Sequence, residues 1–217
     1  MRENRSAERD YVYSYSDLNI NETYVKNVLC NYDLLLSSIE ESRRFIINEI
    51  TDLEARYEAE LGNMNVSAVT LDPVPPSTTN NVNDHTFNTV WKLDRKYVQK
   101  IEALMDNLTY YEVMEERIRR VSNVFTKLSL IFPIHYIVAN ETYMRHKSQD
   151  LVRSRFQYAK VKIRRMQQNI VAVTANVCNM EIPIEEINGM DPEQLKGLIK
   201  DSECYEAMKK IEMENEV

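Results

Sequence analysis

Eight lysines and arginines fall between Tyr143 and Ile170: Arg145, Lys147, Arg153, Arg155, Lys160, Lys162, Arg164 and Arg165. One acid, Asp150, stands among them. The segment carries a net +7 in a chain whose formal charge is −7, so everything else sums to −14. Such segregation marks one polyanion-facing patch on a body that otherwise repels polyanions. Arginine can bond guanine bidentately and glutamine can bond adenine, so Arg164 and Gln167 suit base edges. Lys147, Arg153, Arg155 and Arg165 suit phosphates, which set affinity and salt dependence but carry no sequence information. The bland alternative is a solvated basic face serving an acidic partner, such as the chain's own C-terminal stretch. Residues Glu181 to Val217 hold eleven acids against four lysines.

Other chemistries have little to build on. Gly62, Gly189 and Gly197 are the only glycines, too few and too scattered for a dinucleotide fingerprint or a phosphate-binding loop. Cys30, Cys178 and Cys204 are odd in number and lack a C-x-x-C pair, which fits neither a disulfide framework nor a zinc site. His85, His135 and His146 lie far apart, and no nucleophile–base order or paired carboxylates stand out. The expectation is a protein without cofactor, metal or catalytic activity. No signal-peptide core or membrane-length apolar run occurs, so a cytoplasmic location is expected.

The scarcity of glycine argues for an all-α chain. An arm over residues 1–20 precedes a long helix at 22–61. There Val25, Leu29, Tyr32, Leu36, Ile39, Arg43, Ile46, Ile50, Leu53 and Tyr57 step by fours and threes, the pattern of a coiled-coil seam. Leu29, Tyr32, Leu36, Ile39, Ile46, Ile50 and Leu53 serve either self-association or an intramolecular hairpin. Gly62 is read as the helix stop, followed by a Pro/Asn-rich linker at 62–83. A second long helix starts near Asp84 or Thr86 and runs to about Leu128, with Trp91 on its apolar stripe as a core residue.

Pro133 opens the next helix, which fades near Tyr143. Ser148 can cap a short helix whose Leu151, Val152 and Phe156 face inward. A turn at Gln157-Tyr158 leads to a longer helix from Ala159. Its stripe of Ile163, Met166, Ile170, Val173 and Val177 is buried. Lys160, Arg164, Gln167 and Gln168 take the opposite face, with Lys162 and Arg165 on its flanks. Short helix, tight turn and basic-faced helix make a helix-turn-helix over 148–174, within a helical domain at 84–178. Residues 179–217 read as an acidic tail.

With those residues in view, the chain resembles the RinA/ArpU group of phage late-gene transcriptional activators. The resemblance rests on Asp84-x-Thr86-x-x-x-x-Trp91-Lys92-Leu93, and on Phe156-x-Tyr158-Ala159-Lys160-x-Lys162-Ile163-x-Arg165. It spans about Asn83 to Cys178 and implies a domain similar to sigma-factor region four, double-stranded DNA as ligand and contact with host RNA polymerase. Ala159 stands where a capping serine is usual, and the turn lacks glycine. The expected function is a DNA-binding transcriptional regulator acting as a homo-oligomer in the host cytoplasm. The rivals are a phage terminase small subunit and a helical adaptor that binds protein only, the latter using Ile182, Ile184, Ile187, Leu195, Leu198 and Ile199.

Overall fold

A computed structural model describes residues 19–68 and 85–214. The described residues form eight α-helices and no strand. In chain order these are α1 (Glu22–Ala68), α2 (His85–Leu128), α3 (Pro133–Tyr143), α4 (Gln149–Phe156), α5 (Lys160–Cys178), α6 (Ile184–Gly189), α7 (Pro192–Ile199) and α8 (Tyr205–Met213). The expected arm up to residue 18 and the proline run Asp72–Pro76 lie outside the described residues. None of the described helices is long and apolar enough to cross a membrane.

The described residues fall into two compact units, one within 39–112 and the other made of 19–38 with 113–214. In the first unit α1 and α2 pair as an antiparallel hairpin. Ile39 and Ile46 of the seam are buried, and Ile50 and Leu53 are half-buried. Arg43, the polar member of the seam, donates to Glu112 at 3.1 Å. Towards the other end the Tyr57 hydroxyl donates to Asp94 at 2.8 Å, and Lys96 pairs with Glu60 at 2.7 Å. The seam therefore serves the intramolecular hairpin in this unit. Trp91 departs from its expected place in the core: it is 52% exposed, with the Arg95 guanidinium 5.1 Å from its ring centroid. Gly62 does not end α1, which runs on to Ala68. Nothing lies within 4 Å of where a Cβ would stand on Gly62. An interior glycine costs a helix only about 1 kcal/mol, which a 47-residue helix absorbs.

The second unit holds the basic segment. Leu29, Ile118, Phe125, Leu128, Phe132, Ile163, Met166, Ile170, Ile187, Leu195, Ile199 and Met208 are its largest fully buried side chains. Asn31 breaks the early part of α1 (φ −129°, ψ 24°), and its side chain bonds back to Asn27 instead of leaving the backbone to the helix. Helix α5 packs on α3, α4 and α7, and α3 also packs on α8. Arg120 of α2 closes the far end of α5, donating to the carbonyls of Cys178 at 2.8 Å and Met180 at 2.6 Å. That supplies both partners and positive charge at a helix C-terminus.

The acidic stretch from Glu181 corrects the expectation of a tail. It forms α6, α7 and α8, and Ile187, Leu195, Ile199 and Met208 are buried against the rest of the unit. An Asp191–Gln194 capping box starts α7. Glu212 of α8 reaches the start of α3, where it accepts from the backbone N–H groups of Ile134 and His135 at 3.2 and 3.1 Å. It also meets His135 Nδ1 at 2.7 Å. A carboxylate at a helix N-terminus satisfies orphan donors and complements the dipole.

Candidate nucleic-acid interface

Helix α4 begins where Ser148, in extended backbone, accepts the N–H of Leu151 on its hydroxyl at 3.3 Å. Asp150 sits in the first turn and Arg153 and Arg155 in the last, the polarity that the helix dipole favours. The helix ends at Gln157 in the left-handed region (φ 55°), with the Gln157 N–H donating to the Arg153 carbonyl at 2.8 Å. A turn usually given to glycine is made here by a residue with a Cβ, at a cost of about 1–2 kcal/mol. Ala159 is extended and leaves the first turn of α5 without a side-chain cap. The turn falls at Gln157-Tyr158 as expected, and Ala159 lacks the capping oxygen as its side chain implies; the left-handed backbone of Gln157 is added by the structure.

One cluster holds the element together: Val138 of α3, Val152 of α4, and Ile163 and Met166 of α5, with Phe156, Tyr158 and Ile211 against them. Leu151 does not join it. It is 61% exposed, because Val152 alone fills the inward position of that turn. On α5 the buried stripe of Ile163, Met166, Ile170, Val173 and Val177 leaves Val161, Arg164, Arg165 and Gln168 on the opposite, exposed face. Lys160 is exposed at the start of the helix, and Arg153 and Arg155 on α4.

Gln167 requires a correction. It is buried, and its amide donates to the Thr142 hydroxyl at 2.7 Å. One residue on from Met166 and three before Ile170, it stands at the edge of the buried stripe and closes α5 onto α3. Lys162 is also less available than expected. It is half-buried, paired with Glu214 at 2.9 Å, and lies 4.5 Å from the Tyr158 ring centroid.

Glu141, just outside the basic segment, organises part of the patch. Its side chain is 3% exposed and faces three cations: Arg145 at 2.8 Å, Arg155 at 3.2 Å, and Lys147. The Lys147 hydrogen bond, followed by the charges of Lys147, Arg145 and Arg155, holds the Glu141 carboxyl below its ordinary range despite burial. Three cations around one anion leave an excess of two positive charges at this corner. The signal was present in the sequence as the i, i+4 pair Glu141–Arg145.

Burial pushes the Cys178 thiol up to about 12, against a weak lowering by Arg120, and burial also raises Cys30 and Cys204. Among the described residues no group of His, Cys, Asp and Glu is arranged to hold a metal ion. Comparison of the chain with protein-family models, curated proteins and solved structures finds no match.

Proposed function

We propose that the chain is a DNA-binding transcriptional regulator that places α5 in the major groove. The observation that carries this reading is the outward face of α5, Val161, Arg164, Arg165 and Gln168, set behind a capped short helix and a tight turn. Arg164 suits guanine, Gln168 adenine and the Val161 methyls a thymine methyl. Arg153, Arg155, Lys160 and Arg165 suit the backbone phosphates on either side. With Gln167 committed to Thr142, Gln168 takes the adenine-reading role.

The resemblance of Asn83 to Cys178 extends the reading to a phage late-gene activator that acts with host RNA polymerase. A terminase small subunit would share the basic element but bind packaging sites as a closed ring. The adaptor reading is weakened, since three of its six docking residues, Ile187, Leu195 and Ile199, are buried within the chain, while Ile182, Ile184 and Leu198 are half-buried.

Titration of a random duplex at two salt concentrations tests DNA binding itself. Affinity should fall with salt by about 0.9 logarithmic units per neutralised phosphate per decade. Absence of binding at low salt would reject the reading.

A further inference from the structure

The hairpin carries a second apolar stripe that does not face α1. Trp91, Val98 and Met105 of α2 are 52%, 36% and 55% exposed and stand seven residues apart. Leu93 and Tyr97, which are buried, occupy another side of the same helix. A seven-residue spacing drifts by only about 20° per repeat, so the three side chains make a nearly straight ridge about 21 Å long. The charges beside that ridge are divided along its length. Lys92 and Arg95 flank its N-terminal half and Glu102 and Asp106 its C-terminal half, whereas Asp94, Lys96 and Glu112 are engaged by Tyr57, Glu60 and Arg43 within the hairpin.

We propose that this ridge is a self-association surface, and that its occupant is the same ridge of a second copy in antiparallel orientation. The charge division selects both partner and direction. Arg95 and Glu102 lie on one side of the ridge, three residues before and four after Val98. An antiparallel copy sets Arg95 of each chain against Glu102 of the other, and brings Trp91 toward the opposite Met105. A parallel copy would set basic halves together, a like-charge arrangement that disfavours assembly. One helix thus supplies both halves of an isologous two-fold contact. The Leu29–Leu53 seam plays no part in this contact. A dimer of this kind carries two copies of α4–α5, as a reader of paired half-sites requires.

Sedimentation velocity on the full chain without DNA tests the proposal, and quenching of the chain's single tryptophan by iodide follows the same surface. Wild type should dimerise with rising concentration and shield Trp91 as it does. R95E and V98D should each raise the dissociation constant by at least about tenfold, and R95E/E102R should recover wild-type assembly. All three positions are solvent-facing, and circular dichroism checks that each variant is folded; if V98D unfolds, the charge pair alone decides. A wild-type chain that stays monomeric, with Trp91 equally quenched at all concentrations, would overturn the proposal and leave the ridge to another partner. Assembly unaffected by R95E would overturn it too. Because no DNA is present, either result leaves the DNA reading where it stood.

Discussion

The side-chain amide of Gln167 donates to the Thr142 hydroxyl across 2.7 Å, joining the flank of α5 to the last turn of α3. The same hydroxyl donates to the Val138 carbonyl at 2.9 Å, so the bond extends a short polar chain inside the core. Gln167→Ala should therefore act on stability and not on sequence choice. The loss is about 1–3 kcal/mol, since the half-buried Thr142 hydroxyl loses its donor and a small cavity opens where the buried Gln167 side chain was. Urea unfolding should show the loss, while the ratio of specific to random duplex affinity stays that of wild type. A changed ratio with unchanged stability would return Gln167 to the interface.

Glu141 makes acid sensitivity a property of the basic corner. Its carboxyl titrates below its ordinary range because Lys147, then Arg145 and Arg155, favour the charged form. A carboxylate with a depressed folded-state pKa stabilises the fold above its unfolded pKa, and the contribution disappears as pH falls through the folded value. Wild type should thus lose stability on acidification more steeply than Glu141→Gln, and the two curves should converge below both pKa values. At neutral pH the variant should be less stable yet bind random duplex more tightly, because one anion beneath three cations is gone. Unfolding curves from neutral to acid pH, with duplex titrations at one salt concentration, check both halves.

The turn between α4 and α5 has room for improvement. Ala159 already holds the extended conformation of a helix N-cap but has no oxygen to offer the first turn of α5. Ala159→Ser should stabilise the fold by about 0.5–2 kcal/mol, measured by thermal or urea unfolding. An unchanged midpoint would mean that those N–H groups are already satisfied by water.

What the sequence makes legible here follows from how local the cause is. Pro133 presets the first turn of α3, Ser148 caps α4, and a three-and-four stripe sets the inward face of α5, so their bounds are readable residue by residue. Long-range partners are not. Glu141 is separated in sequence from Arg155, and Glu212 from the start of α3 by more than seventy residues. The helices after Glu181 are six to nine residues long, too short for a period to stand out among so many acids. Trp91 looks like a core residue because α2 bears two apolar stripes, and a helical wheel cannot say which one α1 covers. The α4–α5 element was legible for its shape, but which of two adjacent glutamines faces outward depends on Thr142.

Arg164 and Arg153 offer the sharpest division of labour. Arg164 is exposed on the outward face of α5, one residue past the buried Ile163 and within the first two turns, where a major-groove helix meets base edges. Arg153 is exposed in the last turn of α4, beside the turn, where a preceding helix crosses the backbone. Arg164→Ala should cost about 1–3 kcal/mol on a specific site and little on random DNA. Arg153→Ala should weaken both to a similar degree and reduce the salt slope by about one unit. Both side chains are exposed, so neither truncation should shift the unfolding midpoint appreciably. Parallel binding curves on a selected site and on random duplex decide the matter. Equal losses for the two variants on both DNAs would reduce the patch to non-specific electrostatics and remove the groove-reading role from α5.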